Sequence, residues 1–406
     1  MTTGRRVLVH VGAPKTGTSF VQDLLFQNRD ALAAAGTLYP ADRFDEHFLA
    51  ALDLMDLQWG GLERQAVGAW DRLAERVRGW EGTVVISHEI LATASRQQVR
   101  RALDSFGDAE VHVVMSARDL VRQIPAEWQE NVKHRRAIPY TAFLDKITDP
   151  ARKGALASWF WGVQEVPDIL DRWGATLPPG QVHLVTVPKP GAPRHLLWER
   201  FAQVFGLDPA AYTVTQVRAN PSLGAPETAF LRRVNERVNH GVLANDHYRE
   251  LVRELLAHKT LSLRNGASRL TLPPDVRDWA EELSEQWITV LAERGYDVVG
   301  TLADLRPDPV PVEAPVFYDP DHPDEAQVHA VAMDAVVTLL QEAARLREAE
   351  DALRGERDAA YAELERARGR WFRAKRRLVR MADDSRALGL ALDAYRRVRG
   401  SSSRSA

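Results

Sequence analysis

The sequence contains no cysteine. That absence removes disulfides, thiolate metal sites and a cysteine nucleophile together, and it fits a reducing compartment. Long apolar runs are missing as well: none approaches the roughly 18 residues of a membrane span. The strand-like "VLVHV" behind two arginines is too short for the apolar core of a signal peptide. Charge of one sign is also missing. Lysine and arginine number 53, aspartate and glutamate 56, for a net charge of −3. Such a balance argues against a general nucleic-acid binder and makes any anion site a local one. The expected setting is cytoplasmic, with a peripheral contact at the inner membrane face left open for the C-terminal tail.

What is present is apolar material, 45% of 406 residues, enough for a sizeable core. Four valine-rich runs, 7–11, 83–88, 111–117 and 182–187, read as buried parallel strands, each followed by a helical pattern. "TSFVQDLLFQNRDALAAAG" predicts a first helix closing at Gly36. "DLVRQIPAEWQENVK" predicts a helix interrupted at Pro125, and 41–80, 138–176 and 225–297 read as further helices. The fold class is therefore α/β, a central parallel sheet flanked by helices with a helical C-terminal extension.

Domain organisation follows from composition. Residues 1–305 form the main domain, and 306–326, with six prolines and several acids, a solvated linker. The tail, 327–406, is helical and partly basic. Leu339, Leu346 and Leu353 are seven apart, so coiled-coil self-association and a single charged helix are both open readings. "GRWFRAKRRLVRM" (369–381) gathers six basic residues around Trp371, Phe372 and Leu378. It suits an anionic membrane surface, an acidic partner or the acidic body of its own chain.

The stretch "VLVHVGAPKTGTSFVQDLL" places strand, tight loop and helix in the order that aims backbone N–H groups and a helix N-terminus at an anion. Gly12 and Gly17 keep the spacing of a Walker loop and Ser19 its hydroxyl, but Thr18 stands where the Walker lysine would be. The nearby lysine is Lys15, inside the loop. No acidic partner for Mg²⁺ is evident at a later strand end, and no metal is expected.

At "HVGAPKTGTSFVQ" the sequence resembles the sulfotransferase family, whose 5′-phosphosulfate loop carries the same P-K-T-G-T-[ST] core. The resemblance implies a P-loop-like α/β domain and 3′-phosphoadenosine 5′-phosphosulfate (PAPS) as sulfuryl donor. By it, Lys15 stabilises the leaving phosphate, while Thr16, Gly17, Thr18 and Ser19 wrap the 5′-phosphate. A sulfuryl group carries one negative charge, which makes a metal bridge less necessary. "VHVVMSARDLVRQIPAEW" resembles the family's 3′-phosphate segment, with Arg118 at the arginine and Ala126 where a serine is expected. Ser116 or another neighbour would have to replace that hydroxyl. "VRANPSLG" (217–224) resembles a donor-side loop.

"TVVISHEILA" ends the second run with His88 and Glu89. In the family a histidine or glutamate removes the acceptor's proton. His88 is preferred because an imidazole titrates near neutrality, with Glu89 as runner-up or as the group that orients the ring. An incidental capping turn is the duller alternative. His10 reads as a satisfied core histidine. Lys133, with Trp128, Gln129 and Arg136, would face the sulfuryl oxygens or the acceptor, or form a solvated helix end. The aromatics of "ASWFWG" would stack on an acceptor or fill the core. The acceptor itself is unknown: a hydroxyl or amine of a glycan, lipid or small metabolite. The rival readings are a non-catalytic nucleotide- or anion-binding protein acting through its tail and, behind it, a P-loop kinase.

Overall fold

β-Branched side chains favour extended backbone, and continuous apolar runs suit strands buried on both faces. The computed structural model describes residues 4–193, 195–213, 222–238, 241–264, 268–309, 317–383 and 390–391. The chain divides into two compact units, Met1–Ala335 and Val336–Ala406.

The first unit holds one six-stranded sheet: β1 (Arg6–His10), β2 (Thr37–Leu38), β3 (Thr83–Ser87), β4 (Glu110–Ala117), β5 (Val182–Thr186) and β6 (Asp297–Val299). The order is β2-β3-β1-β4-β5-β6, and every neighbouring pair is parallel. The chain lays β3 on one side of β1 and later β4 on the other. The C-terminal ends of β1 and β4 therefore flank a topological switch point, the crevice where open α/β sheets bind ligands. The four expected runs are β1, β3, β4 and β5. The edge strands β2 and β6 have two and three residues, too few to leave a periodic signal.

Alternation along the strands sorts their side chains onto two cores. Val7, Val9, Val84, Ile86, Val113 and Met115 face one layer with Trp70, Trp128 and Trp173. Leu8, Val85, Val114 and Val185 face the other, with Leu24, Leu25, Phe201 and Phe205. Three helical expectations are corrected. The first helix is two, α1 (Thr18–Gln27) and Arg29–Ala34, because Asn28 turns its amide back to the Leu24 carbonyl at 2.8 Å and closes α1. The Leu120–Lys133 helix is not interrupted at Pro125; it runs through it, the proline lying buried near the helix start where one backbone bond is lost. Residues 225–297 are broken into Ala225–Arg237, a π-helical Tyr248–His258 and Pro274–Glu293, followed by an edge strand.

Asp321, in the proline-rich segment expected to be solvated, accepts from the Tyr140 and Thr141 N–H groups at 2.8 and 2.9 Å. Helix Glu325–Asp383 begins with Val328, Val331 and Ala335 buried in the first unit. In the second unit, the large apolar side chains from Val336 to Met381 are exposed, except the half-buried Val379. Among the described residues no helix is long and apolar enough to cross a membrane.

Candidate active site

The loop after β1 is fixed from below by a seam of side chains. His10 bridges two neighbouring strands, with Nδ1 2.8 Å from Ser87 Oγ and Nε2 3.3 Å from Ser116 Oγ. Ser116 Oγ donates to the Gly12 carbonyl at 2.9 Å and lies 2.5 Å from Thr16 Oγ1. Backbone bonds from Ala13 N–H to Ser116 O and from Ser116 N–H to Gly12 O extend the β1–β4 ladder into the loop. Burial pushes the His10 imidazole down to about 4, so it is a neutral core residue, as expected.

Above that seam the backbone N–H groups from Lys15 to Ser19 have no acceptor among the described residues. Gly17 caps α1 with φ near 90°, and no side chain caps it. A Cβ at Gly17 would come within 2.5 Å of Leu197 Cδ2. The result is a run of free donors at a helix N-terminus, an arrangement that suits a tetrahedral anion.

Lys15, at φ 62°, turns its side chain across the loop to Glu130, Nζ to Oε2 2.8 Å. His134 and Arg253 approach the other oxygen at 3.1 and 3.6 Å. Burial opposes the charge on Glu130, yet Lys15, His134 and Lys133 hold its carboxyl well below the usual range. One turn earlier, Glu127 is buried and accepts from Gln164 Nε2 at 2.9 Å. Burial pushes it up to about 7 against the pull of Lys15. Gln164 in turn accepts from Gln123 Nε2 at 2.8 Å, and the same amide donates to the Pro14 carbonyl at 2.6 Å. Gln123 Oε1 accepts from Arg118 Nε at 2.5 Å. Arg118 is therefore joined to the loop through one glutamine, and burial lowers its guanidinium to about 10.

β3 ends at Ser87, and His88 and Glu89 form the turn beyond it. His88 Nδ1 accepts from Ile90 N–H at 3.4 Å and its ring stacks on Phe48, centroids 5.0 Å apart. With Nδ1 accepting, a neutral ring carries its proton on Nε2. Burial lowers the His88 pKa, so the ring is neutral near pH 7. Glu89 points toward α1, where Gln22 Nε2 donates to Oε2 at 2.9 Å. Burial works against its charge, but His88 and Gln22 keep it below its ordinary value.

The remaining expected residues are placed as follows. Trp128, Gln129 and Lys133 are buried rather than on a solvated face; burial, then repulsion from Lys15, lowers Lys133 to about 8. Arg136 is exposed. Ser116 is committed to the loop seam. In "ASWFWG", Phe160 and Trp161 are core, whereas Trp159 is half-buried against Trp59, which meets Phe48 beside His88. Most of 217–224 lies outside the described residues. Glu127, Glu130, Gln123 and Gln22 were not anticipated. The only signal for them was their helical spacing from residues already singled out. Among the described residues no group of three or more His, Asp or Glu is placed to hold a metal.

This chain is similar to a sulfotransferase of known structure. The match is the crystal structure of a sulfotransferase from Alicyclobacillus acidocaldarius, 16% identical, covering 71% of this chain and 96% of that one, with a TM-score of 0.42. Neither a protein-family model nor a curated protein matches the chain.

Proposed function

We propose that the protein is a sulfotransferase that moves a sulfuryl group from PAPS to a hydroxyl or amine of an acceptor. The observation that carries this reading is the run of unpartnered N–H groups from Lys15 to Ser19, with the Lys15 ammonium beside it in place of a Walker lysine. The backbone of Thr16, Gly17, Thr18 and Ser19 would hold the 5′-phosphate, and Arg118 the 3′-phosphate. The donor, when bound, supplies a sulfur–oxygen bond that breaks as the acceptor's oxygen or nitrogen bonds to sulfur.

In this reading Lys15 faces the negative charge that gathers on the phosphate side of that bond, and its ammonium favours that charge over the ground state. The acceptor's proton goes to the pair at the end of β3. We place Glu89 ahead of His88. The Glu89 carboxylate is charged at neutral pH, whereas Nε2 of His88 carries the ring's proton while Nδ1 caps Ile90. Nε2 of His88 would then be a donor to the reacting groups, and Gln22 orients the carboxylate.

The test is calorimetric binding of 3′-phosphoadenosine 5′-phosphate, followed by release of labelled sulfate from PAPS with and without a lysate of acceptors. Tight binding with transfer supports the reading. Binding with no turnover of any kind would leave a nucleotide-binding protein, and preference for Mg·ATP would make the loop a kinase's.

A further inference from the structure

From Leu339 to Met381 every seventh residue is leucine, alanine or methionine. A second series, three residues ahead of the first, contains Leu364, Trp371 and Leu378 and is broken by Glu350 and Arg357. Both series lie on one continuous helix, and their large members are exposed. Two apolar rows repeating every 3.5 residues on average form the seam of a coiled coil. We propose that this seam pairs with the same helix of a second copy of the chain, running antiparallel, with Leu353 opposite Leu378 of the second copy.

Side-chain volume selects the direction. In the first series Ala360, Ala367 and Ala374 are small, and in the second Arg357, Leu364 and Trp371 are large. The antiparallel register sets Ala360 against Trp371, Ala367 against Leu364 and Ala374 against the long stem of Arg357. Each small residue faces a large one, as close packing requires. A parallel, in-register pair would set alanine on alanine in three layers and Trp371 on itself, leaving voids beside a clash.

Charge selects the same direction. Residues 342–365 carry eight acids and four bases, while 366–380 carry eight bases and no acid. A parallel pair lays the basic stretch on its own copy. The antiparallel register lays it on the acidic stretch and brings Glu356 beside Arg377, and Glu363 beside Arg370, twice each. One like-charged contact remains, Arg354 with Lys375, on the solvent edge of the seam. The overlap from 350 to 381 is about 50 Å long at 1.5 Å per residue. A membrane surface fits less well, because the first apolar row keeps its spacing, at Leu346, Leu353 and Ala360, through an acidic stretch that anionic lipid repels.

The native chain has no cysteine, so introduced thiols report alone. Leu353→Cys and Leu378→Cys change exposed positions. Each full-length variant by itself should form little disulfide, since its two thiols lie about 37 Å apart along the pair. An equimolar mixture should form the mixed disulfide readily on mild oxidation. Light scattering of the unmodified chain should give twice the 45.5 kDa of one copy, and Ala367→Arg should return it to one. Rapid disulfide in either variant alone would show a parallel pair and overturn the proposal. So would a monomeric mass at tens of micromolar, or a monomer that sediments with vesicles of anionic phospholipid.

Discussion

Lys15 Nζ rests 2.8 Å from Glu130 Oε2, so the cation expected at the reaction centre is held by a carboxylate one hundred and fifteen positions away. A pair this close and half-buried holds the ammonium aimed across the loop. Lys15→Ala should therefore leave folding intact, because the loop is held by the Ser116 seam and not by this side chain. Turnover should fall by about 10²–10³, the usual loss for one stabiliser of developing charge. Circular dichroism and thermal unfolding check the first part and single-turnover rates the second. Near-normal turnover would remove Lys15 from the chemistry.

Arg118 would act on a phosphate present before and during the reaction. Arg118→Ala should raise the donor's KM by about 10–100-fold, the worth of a charge-assisted hydrogen bond, with a smaller effect on kcat. Calorimetry with 3′-phosphoadenosine 5′-phosphate and with its analogue lacking the 3′-phosphate gives the comparison. Equal affinities for the wild-type chain would assign Arg118 another partner.

Glu89→Gln should cost about 10²–10⁴ in transfer with donor binding retained, since a general base is not needed to hold the donor. His88→Gln should cost less, because glutamine still offers a donor. Rates for the two variants in parallel decide the order, and a nearly silent His88→Gln beside an active Glu89→Gln would reverse it.

How much of this was legible follows from where each group lies in the chain. Lys15, Thr16, Gly17, Thr18 and Ser19 are consecutive, and the chemistry of a helix N-terminus demands glycine and small hydroxyl residues in one short string. Such a string survives in a linear reading. Arg118 stands at the end of a valine-rich strand and is found with it. Glu130 and Glu127 were not legible, because a glutamate on a helix looks the same whether it meets solvent or a lysine from a distant loop. For His88 a linear reading sees the titration range but not the Ile90 N–H at its Nδ1, the contact on which its order with Glu89 turns. The breaks at Asn28 and in 225–297 were missed because apolar spacing continues across them.

Glu127 gives a pH test. The folded chain keeps its proton up to about 7, whereas the unfolded chain releases it near 4.5. Between those values the unfolded state binds fewer protons, so this group subtracts stability as pH rises and the loss is complete above about 7. Glu127→Gln keeps the hydrogen bond from Gln164 and removes the titration. The variant should match the wild type near pH 4 and exceed it by on the order of 3 kcal/mol near pH 8. Denaturant midpoints at the two values measure this, and a pH-independent difference would mean that Glu127 is charged in the fold.

The chain should tolerate an end after Ala335 and not one near residue 310. The shorter chain loses Val328 and Val331, each worth about 1.5–3 kcal/mol of burial, and the Asp321 bonds to the Tyr140 and Thr141 N–H groups. Melting temperatures of the two truncations compare them directly; equal values would show that residues 311–335 add no stability.

The central place of β1 has a consequence for how the molecule comes into being. Its partners β3 and β4 begin 77 and 104 residues later, and the seam that shapes the loop needs Ser87 and Ser116 together. The glycine loop takes its shape only when both closures are complete. Contacts of such long sequence separation are slow to make. Nucleotide binding should then appear late and all at once during refolding, and a saturating ligand should pull the last step forward by mass action. The time at which affinity appears is a clock for sheet closure.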